Sequence, residues 1–170
     1  MAVANLALLS PSDATNLTII KNAYERFAVE LFPWPNDAQL AELERGIGVR
    51  FSTDYRQFVL EFNSGYFNEP EITPVGEGCP QDALQILFGI GASHEEAELG
   101  RPSRTALFDD NDPPKIIPIG CTGMAGLIIL DTAPGDGQGA IFLKKAFGDF
   151  YYLTDGIEAF LALLRELTWA

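Results

Sequence analysis

Residues 40–65 read LAELERGIGVRFSTDYRQFVLEFNSG, and the spacing predicts two short helices joined by a tight turn. Leu40 and Leu43 give the first helix an apolar face, and Gly46 and Gly48 stop it. Ser52 is placed to cap a second helix that carries Tyr55, Phe58, Val59 and Phe62. Each helix is apolar on one side only, so the two require a common core to cover. The stretch closes on Asn63-Ser64-Gly65, after which the pattern turns to that of strands.

Upstream, Ser10-Pro11 offers an N-cap followed by proline at the first helical position. Leu17, Ile20, Tyr24, Phe27 and Leu31 then recur at three- and four-residue spacing, which predicts one long amphipathic helix. Phe32-Pro33-Trp34-Pro35 breaks it, and Asn36 or Asp37 is placed to cap the next helix. Downstream, Glu71 to Val75 is a weak strand pattern. Ala83 to Ile90 is a stronger one in which Leu84, Ile86, Phe88 and Ile90 are expected to share a face. Ser93-His94-Glu95-Glu96 has the form of a capping box opening a short helix that Gly100 and Pro102 end. After an acidic loop, Asp109 to Pro114, the segments Lys115 to Gly120, Met124 to Asp131, Ala140 to Lys144 and Asp149 to Leu153 read as an antiparallel meander. Thr154 is the expected cap of a terminal helix with Ile157, Phe160, Leu161, Leu164 and Leu167 on its apolar stripe. The expected fold is α+β, a twisted and mainly antiparallel sheet with helices packed against it. One domain over residues 1–170 is expected, with 1–37 an N-terminal helical extension of its core.

The series Leu43-Glu44, Gly48, Phe51, Asp54-Tyr55, Phe58 and Asn63-Ser64-Gly65 resembles the opening of the SUKH superfamily, whose members show Leu-Glu, Gly, Pro-x-Asp-Tyr, Phe and Asn-Gly-Gly in that order. Ile116 to Gly120, Gly126 to Asp131, Gly139 to Phe142 and Ile157 to Leu161 are similar to later elements of the same superfamily. The likeness covers most of residues 38–164. Ser52 stands where a proline is usual, Ser64 displaces a glycine, and Leu143-Lys144-Lys145 replaces a Trp-Asp-His-like stretch. The resemblance implies a binding function of one of two kinds. Some members are bacterial immunity proteins that neutralise toxin domains, often nucleases. Others are regulatory modules, such as the fungal regulator of cell-wall synthesis.

Composition narrows the choice. Of 170 residues, 47% are hydrophobic and 21% charged, enough apolar content for a sizeable core. Eleven basic against twenty-four acidic residues give a net charge of −13, which repels nucleic-acid phosphates and anionic membranes and attracts a basic protein. Residues 1–10 lack the basic flank and long apolar run of a secretion signal, and no segment approaches the about 20 apolar residues of a membrane span. A cytoplasmic location is expected. Cys79 and Cys121 are far apart and outside any Cys-x-x-Cys pair, so neither a disulfide framework nor a zinc site is signalled.

Catalytic motifs do not assemble. His94 is the one histidine, with no Gly-x-Ser-x-Gly nearby, and the first turn of a short helix is its expected place. Asp109, Asp110 and Asp112 lack the glycine and distal glutamate of a calcium loop. Gly135-Asp136-Gly137-Gln138-Gly139 lies between two expected strands and reads as a hairpin loop, not a phosphate cradle. No cofactor and no metal are expected. With the resemblance, the sequence therefore points to a non-enzymatic cytoplasmic immunity protein that occludes a cognate, basic toxin. The expected contacts are the carboxylates of Glu69, Glu71, Glu77, Asp109, Asp110 and Asp112, with Tyr66 and Phe67 as the apolar part. The alternatives are a regulatory scaffold or ligand-sensing domain, and a hydrolase built on two close carboxylates, one with a raised pKa.

Overall fold

A computed structural model describes residues 11–72, 82–92, 94–100, 115–124, 126–135, 137–145 and 150–164. Its elements, in chain order, begin with α1 (Pro11–Phe27), β1 (Ala28–Leu31), α2 (Asp37–Ile47), α3 (Thr53–Glu61), β2 (Gly65–Phe67), β3 (Glu71–Ile72) and β4 (Asp82–Leu87). A 3-10 turn at Glu95–Ala97 precedes β5 (Ile116–Thr122), β6 (Leu127–Asp131), β7 (Ile141–Lys144), β8 (Phe150–Thr154) and α4 (Ile157–Leu163). The strands form one open sheet of order β1-β2-β4-β5-β6-β7-β8, with every ladder antiparallel. β3 lies beside the first half of β4 and β2 beside its second half. The expected α+β architecture is the observed one.

The helix pair forms as its caps dictate. Asn36 and Gln39 exchange side-chain and backbone hydrogen bonds at 2.9 and 3.0 Å, a complete capping box for α2. Gly48, at φ +71°, closes α2 in the left-handed region that a residue with a Cβ rarely adopts. Ser52 Oγ accepts from Tyr55 N to start α3. Glu44 locks the turn between them: one carboxylate oxygen accepts from Phe51 N at 2.8 Å and the other pairs with Arg56. Leu40, Tyr55, Phe58 and Val59 are thereby turned inward and are at most 2% exposed.

One face of the sheet receives all four helices. Ile20, Tyr24 and Phe27 of α1, the inward residues of α2 and α3, and Ile157, Phe160 and Leu161 of α4 share a core with Leu87, Ile128, Leu130, Ile141 and Leu143. Burial of this many large apolar side chains is the main favourable term in the fold. Tyr24 packs edge-on to Phe67 at 5.4 Å and tilted to Phe62 at 5.3 Å. Burial pushes the phenols of Tyr24 and Tyr55 up, so both are neutral core residues.

Four expectations need correction. The helical spacing through Leu31 is misleading: α1 ends at Phe27, and Ala28 to Leu31 is an extended edge strand bonded to β2. Leu31 is 51% exposed, so it is no part of the buried stripe. The strand of Ala83 to Ile90 does not keep one face, because a bulge between Leu84 and Ile86 shifts its register on β5. Leu84 and Leu87 are buried instead, and Ile86 is half-buried. The expected short helix is a 3-10 turn with His94 at its N-cap and no side-chain capping bond, while Ser93 lies outside the described residues. Thr154 is the last residue of β8, and Gly156 stands at the N-cap of α4.

Two groups tie the layers together. Asn63, at φ +54°, is fully buried and its amide donates to Pro33 O at 2.6 Å and Ile90 O at 2.9 Å. Its Oδ1 accepts from Ile90 N at 2.9 Å. Beside it, a Cβ on Gly65 would strike the carbonyl of Glu30, so only glycine lets β1 pack at this point. At the far end of β4, buried Asp82 accepts from Thr122 Oγ1 at 2.6 Å and pairs with Lys145, pinning the β5–β6 hairpin. The expected hairpin loop of residues 135–139 is where β6 turns into β7, and Gln138 Nε2 donates to Arg50 O at 3.1 Å.

Removal of the Asn63 side chain strands a buried amide N–H and two buried carbonyls. Asn63→Ala is expected to lower the unfolding free energy by about 3–5 kcal/mol, measured by urea denaturation. A loss below about 1 kcal/mol would show that these ties are not what holds the two segments.

Candidate functional site

The face of the sheet opposite the helices carries a continuous cross-strand row. Pairing sets Glu30 opposite Tyr66, Tyr66 opposite Ile86, Ile86 opposite Cys121, Cys121 opposite Leu127, Leu127 opposite Lys144 and Lys144 opposite Phe150. Directly opposed residues share a face. Their neighbours in the chain, Leu87, Ile128 and Leu143, point into the core. Tyr66, Ile86, Cys121, Leu127 and Phe150 are all half-buried. Strand alternation thus leaves a partly exposed apolar strip across the molecule.

At one end, the Tyr66 ring sits edge-on to Phe32 at 5.5 Å and to His94 at 6.0 Å. Its phenol is raised by burial first and then by the charges of Glu96, Glu30 and Cys121, so the hydroxyl is a neutral hydrogen-bonding group. At the other end, Phe142 meets Tyr152 at 5.8 Å and Phe150 at 6.4 Å, while Lys144 Nζ lies 4.6 Å from the Phe150 ring centre. Tyr152 is 40% exposed, and a hydrogen bond with Asp155 is the first cause of its raised phenol. Val29, Leu31 and Trp34 add exposed apolar surface near β1. Strips of this composition suit protein contact, in which aromatic side chains supply large area at low entropic cost.

The residues chosen from the sequence are dispersed. Tyr66 belongs to the strip. Phe67, next in the strand, points the other way and is only 5% exposed against Tyr24, so it offers nothing to a partner. Glu69 is exposed at φ +44° between β2 and β3 and accepts from Gln85 Nε2 at 3.1 Å. Glu71 is half-buried in β3 opposite Ala83. Glu77, Asp109, Asp110 and Asp112 lie outside the described residues, as does Cys79. Sequence reading missed Glu30, Ile86, Leu127 and Tyr152, because which strand residues face outward depends on register. His94 is exposed, as expected.

One carboxylate pair resembles the hydrolase requirement. Partial burial, then the charge of Asp54, raises the Glu158 pKa. Both residues occupy first helical turns, Asp54 in α3 and Glu158 in α4, and Asp54 is exposed. The geometry is a repulsion between two helix starts.

A family model described as SMI1 / KNR4 family (SUKH-1) matches residues 35–163. No individual curated protein matches the chain. The matched span opens at α2 and closes at the end of α4, so α1 and β1 precede it. Among the described residues, no helix is long and apolar enough to cross a membrane.

The Glu158 carboxyl holds its proton more tightly folded than unfolded, which fixes a sign. Below the ordinary carboxylate range both states are protonated and the group has no effect. As pH rises from the unfolded to the folded pKa, the unfolded chain releases its proton first and stability falls. Glu158→Gln is expected to match the parent protein at about pH 3 and to exceed it in melting temperature at about pH 7. An equal difference at both ends would contradict the raised pKa.

Proposed function

The chain belongs to the SMI1/KNR4 family (SUKH-1), and from that membership we propose that it is a non-enzymatic protein-binding module, an immunity protein that neutralises a cognate toxin by covering it. The match over residues 35–163 is the observation that carries the reading. Two further features support it. A net charge of −13 favours a basic partner such as a nuclease, whose substrate groove must itself attract phosphate. A half-exposed apolar strip bounded by Glu30 at one end gives that partner a surface on which to settle.

The mechanism is occlusion. Long-range attraction brings the two proteins together, and burial of aromatic and aliphatic side chains then slows their separation. No bond is made or broken. The protein acts in the cytoplasm, where an incoming toxin domain would otherwise reach its target. Glu69 and Glu71, beside β4, contribute to the steering field.

The test uses the toxin domain encoded beside this gene. Purified protein is expected to inhibit it at one-to-one stoichiometry, and association is expected to slow by roughly tenfold or more between low and high salt. Tyr152→Ala, on the strip, is expected to speed dissociation while leaving the melting temperature close to that of the parent. A folded toxin domain that is neither bound nor inhibited would reject the immunity reading.

A further inference from the structure

The edge strand β1 carries a bulge whose effect is specific. Ala28 pairs with Phe67, so in a regular ladder Val29 would oppose Tyr66. The bulge skips one residue and sets Glu30 there instead. Val29 is left 71% exposed. A bulge therefore replaces an apolar neighbour of Tyr66 with a carboxylate. On the other side, His94 at the start of the 3-10 turn touches the Tyr66 ring, and Glu96 lies within that turn. The turn is braced: Gly89 bridges to Glu98, and the Glu98 carboxylate accepts from Gly91 N at 3.1 Å and Ala92 N at 2.9 Å.

We propose that Tyr66, Glu30 and Glu96 form an arginine clamp, in which a guanidinium presented by a basic partner protein rests against the Tyr66 ring and shares its N–H groups between the two carboxylates. The inference rests on the binding role proposed above and names the chemistry at one end of the strip. A planar guanidinium stacks on an aromatic ring and presents donors in a fixed fork, whereas an ammonium does neither, so arginine is favoured over lysine. The site is preorganised, since Phe32 and His94 hold the ring from two directions. The raised phenol keeps Tyr66 from adding a third negative charge, and its causes place Glu96 and Glu30 within electrostatic reach. The occupant is a protein and not the free amino acid, because Leu31 and Trp34, on either side of Phe32 in the chain, expose 51% and 73% of their surface as an apolar rim. A second copy of this chain is disfavoured by its charge of −13. Glu30 comes from β1, ahead of the span shared with the family, so the clamp belongs to this chain's own N-terminal addition.

Two arms test the clamp. In the first, 15N-labelled protein is titrated with an acetylated Gly-Arg-Gly peptide, its Gly-Lys-Gly counterpart and free arginine. Shifts centred on the amides of residues 30, 66 and 96 are expected, with the arginine peptide binding several-fold more tightly than the lysine peptide. Tyr66→Ala is expected to weaken it by about tenfold or more. The paired change Glu30→Gln and Glu96→Gln, which preserves packing, should do the same, while Glu42→Gln on the exposed side of α2 should not. Equal affinity for both peptides, or shifts spread over the acidic surface, would overturn the clamp. The second arm repeats the variants with an inactive form of the toxin domain. A toxin that binds all variants equally would overturn the clamp and leave the immunity reading standing. A toxin that does not bind, with the arginine peptide still seated at Tyr66, would overturn the immunity reading and leave the clamp.

Discussion

The buried side chain of Asn63 is the constraint on which the rest of the structure depends. It sits where α3 ends and β2 begins, and its three hydrogen bonds reach Pro33 and Ile90, 30 and 27 residues away in the chain. A buried amide with every partner supplied fixes a single arrangement, because any other leaves polar groups unpaired in an apolar surrounding. The backbone continues the same logic. Asn63 N donates to Phe58 O and Val59 O, and Phe32 N donates to Ser64 O. Three otherwise unrelated segments therefore meet at one residue: the chain leaving β1, the helix–strand junction and the end of β4.

From that junction the sheet inherits its register. Gly65 lets the backbone of β1 approach, β1 pairs with β2, and bulges at Ala28–Glu30 and at Leu84–Ile86 reset the alternation on either side of Tyr66. A bulge exchanges which residues face the core, so two local irregularities decide the composition of the exposed face. The helix-covered face is closed by large side chains such as Phe58 and Phe160, which are at most 2% exposed. The opposite face stays partly open. The division of labour is thermodynamic: one face supplies the burial that folds the chain, and the other holds aromatic surface and carboxylates that are available for contact.

Charge acts on a different length scale from this packing. The excess of acidic residues is spread over the chain, and only a few positions gain a defined geometry from the fold. Glu44 and Asp82 are drawn into ion pairs with Arg56 and Lys145 that hold elements together. Glu30 and Glu96 are gathered around Tyr66 instead. The same residue types thus serve as internal fasteners in one place and as a charged rim in another. Burial and the nearest cation decide between the two roles.

The sequence by itself determined the helix pair, the caps at Asn36, Gly48 and Ser52, the antiparallel meander and the likeness to a family. Each of these is written in contacts only a few residues apart, or in a periodicity that one stretch displays alone. The tertiary structure decided what lies beyond that range. Ala28 to Leu31 continues a helical pattern yet is a strand, since pairing with β2 and the tie to Ser64 replace its helical bonds. Phe67 was legible as an aromatic but not as a core residue, because its facing is set by which β2 residue opposes Ala28. Glu30 acquired its place beside Tyr66 through a bulge that no local spacing announces. Register and bulges are set by hydrogen bonds between distant segments, and only the folded chain brings those segments into contact.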